Sequence, residues 1–567
     1  MESSVSLHTA LAKLIKLQPR THQVMFTSIH QRALDIGNEL LSQIPKISPK
    51  KGRRIGIFRR HSSSSKKKLK KDKKRVRKLD KTQSDEWDFI HTEPIRLDEI
   101  SVDTAISWFQ KVVESVDYFV TTFSKTDKFV FHLASMRRMY LDLHGIGVKL
   151  DFVEKIGGLQ ENHEWENQLQ LDRDKEETEL STRAAKNALP FARNMLPHEP
   201  MEALTLLKFE IDYFKPGNSI KHVASMKKVF FSVVRSSNGR VAKIPEWYIP
   251  PYAVNYSREE VMNGSVGTAH RGFWVNRKPP EGKKPEKEEE SEHKPRSYKV
   301  VVKRIFIHAD AIEFFRQEVE AWSAMDHPHI LKLYGASHCS RPALLVYEDA
   351  TNGPLVNYLM RQQKLLVEKH RERQQTVKYR NQWHALWCLL LEAAEGLKYL
   401  HMKQRLVHGN MKSDNILVTS DGHVKLTDFG LGMLALQNQA VQDKKFQELG
   451  WRAPNCCQDK KLLRRPSFQD DIYSFGLCIL DVLVPEFSSI GQDESHDALK
   501  HIGDEGFNPL DDDILSRIGD SQRKLVKGMC EVKPEDRLTL TQVILHMEEL
   551  RDVAERGPAD PGDCRIL

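Results

Sequence analysis

The chain has little cysteine for its length: seven in 567 residues, at 339, 388, 456, 457, 478, 530 and 564, with no CxxC pair and no spacing that suits a metal. A disulfide framework and a structural zinc site are both excluded as organising features, and a reducing intracellular setting is expected. No run of eighteen apolar residues occurs and the N-terminus lacks a basic-then-apolar leader, so the expectation is a cytoplasmic protein, with nuclear entry or attachment to a membrane surface left open. Internal repeats are absent too. What remains, 40% apolar residues over 567 positions, suffices for two to four domains with real cores.

The net charge of +9 comes from one place. Residues 46–81 hold eighteen Lys or Arg against two Asp, so everything outside them is mildly acidic. The stretch has too little apolar surface to order itself. It reads as a solvated tail, as a contact for an anionic membrane or a nucleic acid, or as an import signal. Without interleaved aromatics the nucleic-acid version is the weakest. Six segments follow from the patterning: a helical segment at 1–45, the basic linker at 46–82, a helical domain at 83–235, a Pro-rich lead-in at 236–257, a larger domain at 258–551 and a flexible tail at 552–567. In the helical domain Asp103 suits an N-cap, with Trp108, Val112, Val116, Phe119 and Phe123 on one face. The acidic stretch 161–179 reads as an exposed helix or a linker. Cys564-Arg-Ile-Leu567 approximates a prenylation box, although the arginine is not aliphatic and the flank is acidic; the other reading is an accidental terminal cysteine.

The larger domain carries short signals in a telling order. Gly264-Ser-Val-Gly267 lies between two strand-like runs, where glycine lets backbone N–H groups approach phosphate. Val300-Val-Val-Lys303 is a β-branched run ending in lysine, and Glu318 opens the next helix fifteen residues later. His408-Gly-Asn-Met-Lys-Ser-Asp-Asn415 precedes Asp428-Phe-Gly430 by thirteen residues. Trp451-Arg-Ala-Pro454, Asp471-Ile-Tyr-Ser-Phe-Gly476 and Pro534-Glu-Asp-Arg537 complete the series.

Taken together, residues 258–551 resemble a protein kinase domain of the tyrosine-kinase-like (TKL) group. The resemblance implies an α+β fold, a two-lobed kinase with a small β-rich N-lobe and a helical C-lobe, preceded here by an all-α module. It also implies Mg-ATP in the cleft between the lobes. Lys303, paired with Glu318, would hold the α/β-phosphates; Asn415 and Asp428 would hold Mg; Lys412 would steady the transferred phosphate. Tyr347 would be the gatekeeper, with Glu348 to Ala350 facing the adenine and Leu417 beneath it. Trp322, Leu333, His408 and Phe429 would form a hydrophobic spine, and Asp471 and Arg537 would be structural.

The departures are as informative. Met262 stands where the first loop glycine belongs, and Ala269 and Val301 exchange a usual valine and alanine. Gly409 replaces an arginine that grips a phosphorylated activation loop. Asn455 replaces a glutamate that pairs with Arg537, leaving a buried guanidinium in need of another partner. Asn410 replaces the catalytic aspartate: an amide accepts a hydrogen bond but cannot take a proton, and a general base is worth ~10²–10⁴-fold. The expectation is therefore a pseudokinase or very weak kinase that binds Mg-ATP. An active Ser/Thr kinase and a membrane-surface adaptor are the alternatives, and the substrate or protein partner is unspecified.

Overall fold

The computed structural model describes residues 2–17, 24–44, 102–123, 128–196, 198–214, 217–237, 243–256, 262–264, 267–276, 296–307, 311–369, 376–429, 451–457, 466–484, 510 and 512–556. The basic segment 46–81, Gly430 and Cys564 lie outside them. The chain divides into two compact units, one holding Met1–Glu246, Pro250–Tyr256 and Gly272–Lys299, the other Trp247–Ile249, Ser257–Arg271 and Val300–Leu567.

The first unit is helical: α1 (Glu2–Lys16), α2 (Val24–Gln43), α3 (Val102–Thr122), α4 (Phe129–Gly157), α5 (Trp165–Arg193), α6 (Glu199–Tyr213) and α7 (Ile220–Ser237). Leu7, Leu11 and Leu14 of α1 share one apolar core with Phe26, Ile29, Ala33 and Ile36 of α2 and with Phe109, Val112, Val116 and Phe119 of α3. Of the face read from the sequence, Val112, Val116, Phe119 and Phe123 are buried and Trp108 is half-buried at its edge.

Charged groups enter this core in pairs. Arg137 donates to both oxygens of Glu210 at 2.9 and 3.0 Å, and the Tyr252 hydroxyl donates to the same carboxylate at 2.7 Å. Arg32 meets Glu154 at 2.8 Å, and His132 meets Glu176 at 2.6 Å. The acidic stretch is thus a helix, but not an exposed one throughout: Asp172, Glu176 and Glu177 of α5 are buried. Glu176 also accepts the Met25 N–H and Asp172 accepts from Ser28. A strand β1 (Val254–Tyr256) closes the unit, pairing antiparallel with Gly272–Trp274, and the Tyr118 hydroxyl donates to the Val254 carbonyl at 3.2 Å.

The second unit has a β-rich part and a helical part. Strands β2 (Met262–Gly264) and β3 (Gly267–Asn276, in this unit to Arg271) form a hairpin, and β4 (Arg296–Ile305, in this unit from Val300), β5 (Leu333–Ser337) and β6 (Ala343–Glu348) follow in the sheet order β3–β4–β6–β5. Between β4 and β5 runs α8 (Ile312–Ser323), which buries Phe315, Val319 and Trp322 along one face. A second sheet of β7 (Gly353–Pro354), β8 (Ile416–Val418) and β9 (Val424–Leu426) adjoins the helical part. That part contains α9 (Leu355–Lys369), α10 (Thr376–Lys398), α11 (Phe468–Leu483), α12 (Asp520–Met529) and α13 (Leu540–Arg556) beside shorter turns. Helix α11 starts from a capping box in which Ser467 and Asp470 satisfy each other's end groups. Among the described residues no helix is long and apolar enough to cross a membrane.

Candidate nucleotide and phosphoryl-transfer site

The turn that closes the β2–β3 hairpin needs glycine. Gly267 sits at φ 103°, and a Cβ there would come within 2.0 Å of the Arg304 carbonyl oxygen. Behind it, Ala269 and Val301 are buried on neighbouring strands, as roofing over a flat ligand requires. Leu417 lies on β8, in register with Lys425.

Lys303 is 2% exposed on β4, and its ammonium pairs with the Asp428 carboxylate. The resemblance also implies a pair with Glu318. Both Lys303 and Asp428 are buried, and two buried charges of opposite sign gain most by neutralising each other. Glu318 is half-buried on α8.

The spine residues come together. The Phe429 ring lies 4.8 Å from Trp322 and 6.0 Å from His408 by centroid, while Trp322 stacks on Tyr347 at 5.9 Å. Leu333 is buried on β5 opposite Tyr347. Burial, with Asp428 and Asp349 adding to it, pushes the Tyr347 hydroxyl well above its usual pKa, so it stays a neutral phenol. At the hinge, the Glu348 side chain turns to Lys425 at 2.7 Å, and its backbone N–H donates to the Lys332 carbonyl. The Ala350 N–H has no backbone acceptor among the described residues, while the Ala350 carbonyl accepts from Gly353. Arg271 bridges the hairpin to the hinge, donating to Asp349 at 3.3 Å and to the Thr351 carbonyl at 3.2 Å.

Asp471 holds the catalytic loop by its backbone. One oxygen accepts the His408 N–H at 2.7 Å and the other the Gly409 N–H at 2.8 Å; His401 lies 2.8 Å away. Gly409 is left-handed, at φ 68°. Its place in the loop therefore suits glycine. His408 is wholly buried, and burial first of all lowers its pKa to about 4, with the nearby Asp471 and Asp428 opposing the shift. Its Nδ1 accepts the Asn410 N–H at 3.3 Å, which puts the ring proton on Nε2.

Asn410 ties two loops together. Its Nδ2 donates to the Asp428 carbonyl at 3.3 Å, and its own carbonyl accepts from Asn415 Nδ2 at 2.7 Å. Asp428 itself is held at φ 60°, a conformation that costs a non-glycine residue free energy unless its surroundings enforce it. Lys412 is buried and lies 3.9 Å from Asp414.

The donor set fits a hard cation. Asp428 Oδ1 is buried without a hydrogen-bond partner among the described residues, and Asn415, which donates from Nδ2 to the Asn410 carbonyl, keeps its Oδ1 as an acceptor. One carboxylate and one amide oxygen suit Mg²⁺, which completes its shell with water and phosphate. Among the described residues no group of three His, Cys, Asp or Glu side chains could hold a metal unaided.

Arg537 is buried and finds the other partner that the sequence left open. Its guanidinium is fully buried but well supplied: Asp470 at 3.0 Å, Asn455 Oδ1 at 2.7 Å, and the carbonyls of Glu531, Gln469 and Val532 at 2.8, 2.9 and 3.3 Å. Asn455 in turn donates to Asp470 at 2.8 Å. The charge missing at position 455 is supplied by Asp470, a residue the sequence reading did not single out; its place beside Asp471 at the head of α11 was the available clue.

Residues 257–547, just over half of the chain, match the family model described as protein tyrosine and serine/threonine kinase. Similar proteins include an inactive leucine-rich repeat receptor-like serine/threonine-protein kinase of Arabidopsis thaliana, 25% identical over 249 residues (42% of this chain, 35% of the relative). The receptor tyrosine-protein kinase erbB-4 of Mus musculus is 30% identical over 224 residues (39% of this chain, 14% of the relative). An Aurora kinase of Schizosaccharomyces pombe is 29% identical over 234 residues (41% and 57%). The matched segment spans between about a seventh and under a half of the first relatives. Motif order, lobe architecture and the family match agree: the chain belongs to the protein tyrosine and serine/threonine kinase family.

Proposed function

We propose that the chain binds Mg-ATP and works chiefly as a pseudokinase, with phosphoryl transfer weak or lost. The observation that carries this reading is the bond from Asn410 Nδ2 to the Asp428 carbonyl. A carbonyl only accepts, so the side chain at 410 must donate. An aspartate would place a second acceptor there, while the amide ties the catalytic loop to the metal-site segment and offers no base. Lys303 and Lys412 supply positive charge for phosphate, and the Ala350 N–H supplies a donor for a purine edge. Asn415 and Asp428 offer the oxygens for Mg²⁺, which when bound neutralises phosphate charge. Relatives named as inactive kinases support the same reading. We further place the domain in the TKL group and the protein inside the cell, with the basic segment 46–81 meeting anionic membrane.

A slow Ser/Thr kinase is the second reading, favoured by the packed Trp322–Phe429–His408 stack. Radiolabelled transfer by wild type, Asn410→Asp and an Asp428→Ala blank separates the two. The pseudokinase reading expects a gain of ~10²-fold or more for Asn410→Asp; equal, measurable rates would establish the slow kinase. Mg-ATP at millimolar concentration should raise the melting temperature. A shift that is absent, with Lys303→Met behaving as wild type, would leave only the adaptor.

A further inference from the structure

Helix α7 (Ile220–Ser237) reads IKHVASMKKVFFSVVRSS and contains no acidic residue. Its inner face is spent on the core of the helical unit, where Val223, Met226, Val229 and Val233 are buried. The outer face is a continuous stripe at helical spacing: Ile220, Ala224, Lys227, Lys228, Phe231 and Arg235, with Lys221 at its edge, all exposed. Ile220 is 91% exposed and Phe231 57%, high values for large apolar side chains on a folded unit.

The charges on this stripe differ from those of several other lysines of the unit. Lys13, Lys128, Lys175 and Lys208 each meet a carboxylate within 3.2 Å. On α7 the contacts are neutral: Lys221 reaches the Thr178 hydroxyl at 3.4 Å and Lys228 the Ala185 carbonyl at 3.0 Å. Among the described residues no carboxylate pairs with Lys221, Lys227, Lys228 or Arg235. Four uncompensated cations and two protruding apolar side chains thus share one convex face.

We propose that the outer face of α7 docks on an anionic lipid surface. Charge complementarity selects the occupant: cations near such a surface add up, and their attraction is screened by salt. Shape favours a bilayer over a peptide, because a convex helix back offers no groove to hold a chain. Ile220 and Phe231 stand at separate turns of the stripe, eleven residues or about 16 Å apart, so both can enter the headgroup layer while the lysines between them meet phosphate and carboxylate groups. This face is distinct from segment 46–81, and the proposal does not depend on nucleotide binding.

The test is sedimentation of the full chain with phosphatidylcholine vesicles, with and without 30% phosphatidylserine (about one lipid in three, enough for a strong surface potential). Each lysine is worth roughly fivefold in partitioning, so Lys227→Ala with Lys228→Ala should weaken binding to anionic vesicles about 25-fold at low salt. Neutral vesicles should show no such difference. Phe231→Ala should weaken binding further and Phe231→Trp should keep it, an order that charge alone does not produce. These side chains are exposed, so thermal melting of the variants should match wild type. Unchanged partitioning of the lysine pair overturns the proposal. So does equal binding to neutral vesicles, or capture of an acidic protein by α7 with no lipid binding.

Discussion

Arg137 in the helical unit and Arg537 in the kinase-fold unit are both buried guanidiniums, and they are neutralised by different means. Arg137 depends on one residue: Glu210 takes both of its bonds and also accepts the Tyr252 hydroxyl, while the Phe214 ring stacks 3.8 Å from the guanidinium carbon. Arg537 divides its donors among one carboxylate, one amide and three backbone carbonyls. Concentrated neutralisation makes one carboxylate indispensable. Distributed neutralisation tolerates the loss of the carboxylate expected at 455.

The largest expected effect breaks the concentrated pair. Glu210→Ala leaves the Arg137 charge buried with no anion and should cost the helical unit about 3–5 kcal/mol. Hydrogen–deuterium exchange of peptides from α4 and α6 reads this directly, because protection there should fall by several hundred-fold or more. The triple change Arg137→Met, Glu210→Leu, Tyr252→Phe removes charge and partners together and should recover most of the protection. A loss below about 1 kcal/mol for Glu210→Ala would mean that Arg137 is as well distributed as Arg537.

Acid sharpens the comparison, since the kinase-fold unit holds two buried histidines that resist protonation. His408 is lowered to about 4 by burial, despite Asp471 and Asp428. His338, edge-on to Trp247 and Tyr248, is lowered to about 4 by burial and then by Arg316. Below about pH 6.5 the unfolded chain protonates these rings while the folded one does not until about pH 4, so stability falls as pH falls through that window. Between pH 7 and 5 each histidine should cost roughly 2 kcal/mol. His338→Phe keeps the ring packing and should remove about half of that sensitivity in melts followed against pH. The Arg537 cluster should not contribute there. The Asp470 carboxyl is held below its usual 3.8 by bonds from Asn455, Ser467 and Arg537 that outweigh burial, so its stabilisation is lost only as pH falls below that value.

How much of this was visible in the linear chain differs by the kind of contact. The order of Lys303, Asn415, Asp428 and Arg537 marked the site because phosphate and metal chemistry demands those residue types at nearly fixed intervals. The apolar stripe of α3 was visible because helical period alone defines a buried face. Partner choice among charges was not visible. Lys303 meets Asp428, a contact that follows from the burial of both groups and about which sequence spacing says nothing. Likewise the acids of α5 read as solvent-facing, since their partners Met25, Ser28 and His132 lie 151, 144 and 44 residues away. Asn410 was read as a lost base; its donor role toward Asp428 needed the third dimension.

The smallest expected effect tests the distributed half of the comparison. Asn455→Glu restores the carboxylate that the family places against Arg537, and on a linear reading it should stabilise the domain. In the structure Asn455 both accepts from Arg537 and donates to Asp470. A glutamate keeps the first bond, loses the second, and sets a carboxylate beside a carboxylate. Arg537 is already neutralised, so the added Coulomb gain and the new repulsion should nearly cancel, leaving a change within about 1 kcal/mol. For the same reason Asn410→Asp with Asn455→Glu should transfer phosphate no faster than Asn410→Asp alone. A stabilisation above about 2 kcal/mol, or a double variant ~10-fold faster than the single one, would show Arg537 to be short of negative charge after all. It would then behave like Arg137, dependent on one anion that this chain happens to lack.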